Sequence, residues 1–499
     1  MKGDSFYKST AVLTASNILT GVFGFVFTVT LTHHLGAEGM GLYNLVMPLY
    51  NLFICIMSAG IVAALSKVSA IYLERKEIKN LYKTVKTTAF FNLLWSITIT
   101  LIVLSLNGFL TNEIIKDSRT SLALWIICPA MIFVTLSNIL KGFFYGISKV
   151  MVPSIIDIFE KAIRIVALLT LLIFFDSSST MVKLSVAYGA LCIGELISLL
   201  LLFIYYKLNR LPLKNSTSPV EGRAQLLYNV LSISVPLCIN GIITNILSTT
   251  SALIVPRRLI VAGFSESIAL SMIGKFSSMA IAIVFFPMVI IGSINTVLIP
   301  DLSKSVSKKD FSSSENRIKD VLRLSFVLGL CTLMICTTIP NNLGHMLFKR
   351  NDLAQYIRFA ALAAPFVYTS VTTYGILNGI GRHNILLRNS VAVSLLELVL
   401  LFIFTAIPNI NILGYGITMI ISACITIGLN LYEIKKYYEL EFSLTNIIIL
   451  ALCALFIYYV LRFLNNSLSD DLNATKNIII IFWGFMLFII SIFITKKAE

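Results

Sequence analysis

The sequence is poor in charge: only 13% of its 499 residues are Asp, Glu, Lys or Arg, whereas 57% are hydrophobic. A soluble protein of this composition would expose large apolar patches and aggregate, so a soluble globular fold is excluded. The charged residues gather in short stretches between long apolar runs, which leaves little chain for a soluble domain. The net charge of +15 is spread over many short loops, and no nucleic-acid partner is predicted.

The chain also lacks two motifs that would indicate other classes of protein. Its eight cysteines fall inside apolar runs and form no C-x-x-C pair, so neither a disulfide framework nor a metal site is predicted. A nucleotide-binding loop of the form G-x-x-x-x-G-K-[ST] is absent, which argues against ATP as the energy source. We therefore predict no cofactor.

Long apolar runs dominate the rest of the sequence. A helix needs roughly 20 apolar residues to cross about 30 Å of hydrocarbon. The candidate runs are 9–33, 43–66, 87–107, 120–140, 150–175, 184–206, 229–255, 270–299, 321–344, 356–379, 389–407, 412–434, 444–464 and 477–495. We therefore predict an all-α integral membrane protein with about 14 transmembrane helices.

The distribution of Lys and Arg between the runs predicts the orientation of the chain. With the N-terminus inside, 26 of the 39 basic residues fall on inner segments and 11 on outer segments. The other two, Lys161 and Arg164, lie within the fifth run. Because cytoplasmic loops carry such an excess of positive charge, we predict a multi-pass cell-membrane protein with both termini in the cytoplasm.

Two short matches indicate an internal duplication. Ala64-Leu65-Ser66-Lys67 resembles Asp301-Leu302-Ser303-Lys304 at a sequence offset of 237, and Gly142-x-x-x-Gly146 resembles Gly375-x-x-x-Gly379 at an offset of 233. Chance is the alternative, since small-residue patterns are common in membrane helices. Parallel repeats of six helices would place a substrate site between two lobes. The predicted units are an N-terminal six-helix lobe (1–210), a C-terminal six-helix lobe (211–440) and two additional transmembrane helices (441–499).

The fifth run carries the strongest chemical signal. Its charged residues are Asp157, Glu160, Lys161 and Arg164, whose spacing places them on one face of a helix. The spacing favours two i,i+4 ion pairs, Asp157 with Lys161 and Glu160 with Arg164. A charge at the bilayer centre costs at least about 3 kcal/mol, so this face is predicted to line a polar cavity that binds substrate. The alternative is a set of ion pairs that only locks helix packing.

Further charged residues extend the candidate site. Glu195 and Glu397 lie within the sixth and eleventh runs and are candidates for a gate. At the offset of 233, Glu397 corresponds to Arg164, so an acid in one half would face a base in the other. Arg257 and Arg258 follow the seventh run on the outer side, and guanidinium groups suit phosphate oxygens. Ordinary interfacial placement of these two arginines is the alternative.

Short stretches in three regions together form a family pattern. They are Gly36-Ala37-Glu38-Gly39-x-Gly41-Leu42-Tyr43 with Pro48 and Leu65-Ser66-Lys67; Leu140-Lys141-Gly142-Phe143-Phe144-x-Gly146 with Pro153, Glu160, Arg164 and Ile165; and Ile254-Val255-Pro256-Arg257-Arg258-Leu259, Phe285-Phe286-Pro287 and Leu298-Ile299-Pro300. The sequence resembles, over roughly residues 5 to 435, the stage V sporulation protein B family. That family lies in the polysaccharide-transporter branch of the multidrug/oligosaccharidyl-lipid/polysaccharide (MOP) exporter superfamily.

The resemblance implies a fold and a function. The fold would be two six-helix lobes in a V, with two further helices that help to form a lipid-tail groove in lipid II flippases. The protein would be a flippase or polysaccharide exporter that acts by alternating access on an undecaprenyl-pyrophosphate-linked sugar, such as the peptidoglycan precursor lipid II. It would serve spore-cortex or cell-wall synthesis, with membrane lipids and cell-wall synthesis enzymes as partners.

One stretch departs from the family pattern. Relatives often carry a basic residue in the first span, placed for the pyrophosphate, whereas residues 24–29 contain none. The positive charge would then come from Lys161, Arg164 and the Arg257–Arg258 pair, or the substrate differs.

Two other functions stay open from the sequence. A cation-coupled multidrug exporter of the same fold usually has a carboxylate in its first spans, and the first two runs here contain none. A membrane enzyme acting on lipid-linked sugars would need a sizeable outer loop, and the outer loops are short. We therefore predict a transporter and not an enzyme.

Overall fold

A computed structural model describes residues 2–175, 179–209, 221–307, 311–440, 444–468 and 473–497. All the regular structure in these ranges consists of helices. The first nine are α1 (Lys2–Ser58), α2 (Ile61–Glu74), α3 (Ile78–Ser105), α4 (Asn107–Phe109), α5 (Ser121–Gly146), α6 (Met151–Phe174), α7 (Thr180–Leu208), α8 (Arg223–Val261) and α9 (Glu266–Ile273). The others are α10 (Ile281–Phe285), α11 (Met288–Ser307), α12 (Phe311–Thr338), α13 (Pro340–Phe348), α14 (Ala354–Gly379), α15 (His383–Phe404), α16 (Leu413–Ile434), α17 (Leu444–Ser467) and α18 (Asn473–Lys497). Short π-helical and 3-10 turns occupy Leu110–Ile115, Gly274–Ala280 and Ser118–Thr120.

Many of these helices suit a membrane. Among the described residues, 11 stretches are long and apolar enough to cross one. The first of them, Ala11–Glu74, contains most of α1 and all of α2, and α1 itself breaks at Gly36 (φ 67°, ψ −172°), a backbone conformation that essentially only glycine adopts. Helix α6 is not among the 11, although its 24 residues would span about 36 Å. The all-α membrane fold is confirmed, and the count of 14 spans stays a prediction.

The chain forms two compact units. The first contains Leu42–Leu253 and the N-terminal residues up to Leu35, and the second contains Ile254–Glu499 and Gly36–Gly41. In the first unit, α5 packs against α2, α3 and α7, and α6 packs against α7. In the second, α14 packs against α11, α12 and α16, α15 packs against α16, and α17 and α18 pack on α12. The predicted lobe boundaries fall on or beside residues outside the described ranges, so the six-helix division stays a prediction.

Helix boundaries recur along the chain at a constant sequence offset of 233. Helices α3 and α12 have 28 residues each and begin at Ile78 and Phe311. Helices α5 and α14 have 26 residues each and begin at Ser121 and Ala354, which gives the same offset. The duplication inferred from short sequence matches is therefore also present in the helix pattern.

Close glycine contacts fix the register of the two repeats and correct one sequence match. A Cβ on Gly146 of α5 would lie 2.5 Å from the carbonyl oxygen of Ser66 in α2, and a Cβ on Gly379 of α14 would lie 3.2 Å from that of Ile299 in α11. The two glycines and their two partners are related by the same offset as the helix boundaries. The Leu-Ser-Lys match, at an offset of 237, is therefore out of register by four residues, or about one helical turn. A shift of one turn places a residue on nearly the same face of the helix, so such a match can arise without the correct register.

Candidate functional site

Helix α6 has two opposite faces. Its exposed face is apolar and includes Ile155, Phe159, Val166 and Ile173. At about 100° per residue, the four charged side chains of α6 lie on the opposite side of the helix. The charges therefore point away from the apolar surface that α6 would present to acyl chains, and towards its neighbours in the first unit.

Three helices bring three cations and three carboxylates together on the inward face of α6. Helix α5 contributes one residue, α7 contributes one, and α6 contributes four. We call this set the charge cluster; its members are Lys141, Asp157, Glu160, Lys161, Arg164 and Glu195. Equal numbers of acids and bases give the cluster no net formal charge.

Arg164 lies at the centre of the charge cluster. Its Nη2 donates to Oε1 of Glu195 on α7 at 2.8 Å and also contacts Oε1 of Glu160, one turn earlier on α6. Lys161 Nζ lies 3.1 Å from the other oxygen of Glu160. One guanidinium therefore bridges carboxylates from two helices, an arrangement that suits its planar set of donors. The sequence prediction of a Glu160–Arg164 pair agrees with this geometry.

Asp157 does not pair with Lys161, contrary to the prediction from i,i+4 spacing. Its Oδ1 lies 2.7 Å from Nζ of Lys141 on α5, while Lys161 turns to Glu160. An interhelical cation therefore replaces the local one. Sequence reasoning missed Lys141 because it placed this residue in an inner loop; its position directly before Gly142, within the family-like stretch, was the available signal.

Exposure decreases along the charge cluster. The side chains of Lys161 and Asp157 are 30% and 29% exposed, whereas those of Arg164 and Glu160 are 12% and 5% exposed. Tyr43 and Tyr50 on α1 are within electrostatic range of Arg164, and Tyr43 stacks with Tyr188 on α7 with ring centroids 5.2 Å apart. The cluster is thus partly exposed at Lys161 and Asp157 and buried at Glu160.

Gly194 on α7 provides the space for the buried ion pairs. A Cβ at this position would lie 2.9 Å from Glu160 Oε1 and 3.4 Å from Arg164 Nε. We predict that Gly194→Ala lowers the free energy of unfolding by about 1–3 kcal/mol through overpacking, measured by thermal unfolding in detergent. Gly189→Ala on the same helix is the control, because its Cβ would meet no atom closer than 3.9 Å. Equal melting temperatures for the two variants would contradict this account.

The other predicted site residues lie in the second unit. Arg258 donates from Nε to the carbonyl oxygen of Phe402 at 2.8 Å, and its guanidinium carbon stands 3.8 Å from the centre of the Phe402 ring. Arg258 therefore binds the C-terminal turns of α15, and Arg257 precedes it on α8. Glu397 is half-buried on α15, within electrostatic range of Tyr374 and Tyr415, and takes part in no ion pair among the described residues.

The second repeat lacks the charge cluster. At the offset of 233, the six members correspond in order to Tyr374, Ser390, Val393, Ser394, Glu397 and Gly428. Helices α15 and α16 pack against each other, as α6 and α7 do, and are joined by an ion pair at another position, Arg388 with Glu433 at 2.9 Å. The charge cluster is therefore specific to the first repeat.

Comparisons with known proteins agree with this fold. The model of the family described as polysaccharide biosynthesis protein matches residues 6–306. Stage V sporulation protein B of Bacillus subtilis (strain 168) is 21% identical over 505 residues, which cover 100% of this chain and 98% of that protein. The solved structure of the lipid II flippase MurJ in an inward closed conformation matches with a TM-score of 0.72 and 14% identity, covering 98% of this chain and 100% of the flippase.

A second solved structure, an inward-facing multidrug resistance MATE family transporter of the MOP superfamily, matches with a TM-score of 0.66 and 13% identity. It covers 86% of this chain and 98% of the transporter. These matched structures are a flippase and a transporter, and neither is an enzyme. The family model spans more than half of the 499 residues. The chain therefore belongs to the polysaccharide biosynthesis protein family, as a multi-pass membrane transporter with the MOP fold.

Proposed function

We propose that the chain flips a lipid-linked oligosaccharide across the cell membrane, with an undecaprenyl-pyrophosphate-linked sugar of the lipid II type as substrate. The observation that carries this proposal is the charge cluster, in which Lys161 and Arg164 lie on α6 yet face away from the apolar surface of that helix. The similarity to a lipid II flippase and to a sporulation protein supports the substrate class and a role in spore-cortex or cell-wall synthesis.

The physical task of such a flippase is to replace water around an anionic head group. The apolar tail can stay in lipid, but an unpaired pyrophosphate in a low-dielectric environment has a large desolvation penalty. Arg164 and Lys161 would offset that penalty through charge-assisted hydrogen bonds to phosphate oxygens. Asp157 and Glu160 would hold the bases of the cluster when no substrate is bound.

Alternating access and the membrane potential complete the proposed cycle. Rocking of two parallel repeats would expose the site first to the cytoplasm and then to the outside. With the inside negative, outward movement of an anion gains about 2.3 kcal/mol per charge per 100 mV. We place both termini in the cytoplasm on the basis of the Lys and Arg distribution, and cell-wall synthesis enzymes are the proposed partners.

A flipping assay tests this proposal directly. The purified full chain is reconstituted into vesicles with fluorescent lipid II, and the label on the outer leaflet is quenched over time. We expect faster exchange than in protein-free vesicles. The alternative is a cation-coupled multidrug exporter, which the match to a multidrug transporter favours. Proton-driven uptake of a cationic dye without lipid II exchange would identify that alternative instead.

Substitution of Glu397 tests the proposed gate. We propose that this carboxylate is part of a gate in the transport cycle, because its repeat counterpart is Arg164. Glu397→Gln is expected to slow flipping about tenfold while the melting temperature changes little, since Glu397 takes part in no ion pair among the described residues. Ser394→Ala on the same helix serves as the control. An unchanged flipping rate in Glu397→Gln would exclude the gate.

A further inference from the structure

We infer that Glu195 is a displaceable counter-ion that competes with the substrate's phosphate for Arg164. In the empty site Glu195 accepts from Arg164; the head group takes its place during binding, and the return of Glu195 releases the head group. This inference rests on the proposed flippase function and adds a positioning residue to it. Glu195 thereby controls release as well as binding.

The geometry distinguishes Glu195 from the other carboxylate on Arg164. Glu160 is on the same helix as Arg164, is 5% exposed, and is held by both Lys161 and Arg164. Glu195 comes from α7, is 14% exposed, and has Arg164 as its ion-pair partner at 2.8 Å. Of the two carboxylates, Glu195 therefore has fewer ion-pair partners to lose, and it comes from a different helix than Arg164.

Competition for one donor indicates why a carboxylate has to move. Nη2 of Arg164 already contacts both Glu160 and Glu195. A phosphate oxygen that approaches this nitrogen would meet two carboxylate oxygens of like charge, which is unfavourable in a buried site. Displacement of Glu195 frees Nη2 of Arg164, and the nitrogen that held a carboxylate oxygen can then hold a phosphate oxygen.

The surroundings of Glu195 offer it a second cationic neighbour. Besides Arg164, Glu195 is within electrostatic range of Glu160 and Lys161 on α6, of Lys141 on α5 and of Tyr50 on α1. Lys141 binds Asp157 at 2.7 Å and is also within electrostatic range of Glu195. When the Glu195 carboxylate is displaced from Arg164, it would therefore remain near the Lys141 ammonium group. The displaced state therefore does not leave Glu195 as an isolated buried anion.

The repeat comparison indicates that the pair is specific to the first repeat. Arg164 and Glu195 correspond to Glu397 and Gly428, so the second repeat has neither the base nor its interhelical acid at these positions. Helices α15 and α16 are joined at a different place, by Arg388 and Glu433 at 2.9 Å. The Arg164–Glu195 contact is thus a feature of the half that we propose to bind the head group.

The test compares binding with turnover in Glu195→Gln. The amide keeps the shape and one hydrogen-bond acceptor but loses the competing charge. We expect the Kd for undecaprenyl pyrophosphate, measured on the full chain in nanodiscs, to fall about tenfold, and the maximal lipid II flipping rate to fall about tenfold as well. A purely structural residue would instead show weaker binding together with slower flipping.

A matched control is available in the second unit. Glu433 is also a carboxylate shared by two bases, Arg388 at 2.9 Å and Lys436 at 3.0 Å, and lies outside the charge cluster. Glu433→Gln is expected to change neither the Kd nor the flipping rate by more than twofold. Glu195→Asp retains the charge and should stay closer to the wild type than Glu195→Gln in both measurements, which provides a second readout if the glutamine variant folds poorly.

The outcomes separate this inference from the proposed function. If the wild type binds undecaprenyl pyrophosphate and Glu195→Gln binds it with equal or weaker affinity, the counter-ion role is wrong and the flippase proposal stands. If the wild type neither binds this probe nor flips lipid II, the proposed function is wrong and the counter-ion role falls with it.

Discussion

Replacement of Arg164 by alanine is expected to slow the flipping of lipid II in reconstituted vesicles by at least about 100-fold. The substitution removes the central donor of the charge cluster, which contacts both Glu160 and Glu195. A 100-fold loss corresponds to about 2.7 kcal/mol of transition-state stabilisation, a magnitude consistent with the loss of charge-assisted hydrogen bonds to a buried phosphate.

The same substitution is expected to affect folding, and the two effects can be separated. Removal of one partner of a buried ion pair typically costs about 3–5 kcal/mol, because the remaining charge is left uncompensated. The double variant Arg164→Ala, Glu195→Gln removes one cation and one carboxylate, so it should recover much of the melting temperature. It should not recover flipping, since the phosphate partner is still missing.

Arg388→Ala provides the matched control for the loss of an arginine. Arg388 lies in the second turn of α15 in the second unit and pairs with Glu433 at 2.9 Å, but its side chain is 65% exposed. The side chain of Glu433 is 6% exposed, but it keeps Lys436 as a partner at 3.0 Å when Arg388 is removed. This variant should therefore keep its stability within about 1 kcal/mol and its flipping rate within twofold. Recovery of flipping in the Arg164→Ala, Glu195→Gln double variant would show that Arg164 acts only through folding.

The sequence was sufficient to predict the face of α6 but not the partners of that face. Helical periodicity placed Asp157, Glu160, Lys161 and Arg164 together, and the Glu160–Arg164 pair followed from spacing alone. The contacts of Lys141 could not be predicted in the same way. They depend on how α5 and α6 approach each other, and such tertiary contacts leave no periodic signal within one helix.

Gly194 and the register of the repeat were missed for a similar reason. A glycine inside an apolar helix is common in membrane proteins, so its role becomes visible only from the atoms it contacts. The register required helix boundaries, because the Leu-Ser-Lys match and the Gly-x-x-x-Gly match have different offsets and sequence similarity alone cannot rank them. The boundaries of α3 and α12, each 28 residues long, decide in favour of the Gly-x-x-x-Gly match.

Gly274→Ala is expected to cause a larger loss of stability than Gly194→Ala. Within the second unit, a Cβ at Gly274 would overlap the carbonyl oxygen of Ala37, and a Cβ at Gly41 would overlap that of Leu270. Backbone carbonyls cannot rotate away as a side chain can, so the two segments would have to separate. We expect a loss of at least about 3 kcal/mol, the upper end of the usual range for overpacking.

The contact around Gly274 is reciprocal, and this property sharpens the prediction. Gly41 corresponds to Gly274 in the repeat, and Ala37 corresponds to Leu270, so each segment presents the same pair of positions to the other. Gly41→Ala should therefore be as damaging as Gly274→Ala, measured by melting temperature and by the yield of monodisperse protein.

Gly292→Ala is the control, because a Cβ there would meet no atom within 4 Å and the alanine improves helix propensity. If Gly274→Ala behaved like Gly292→Ala, the two segments would not be in close backbone contact, and the family-like run that contains Gly41 would need another explanation.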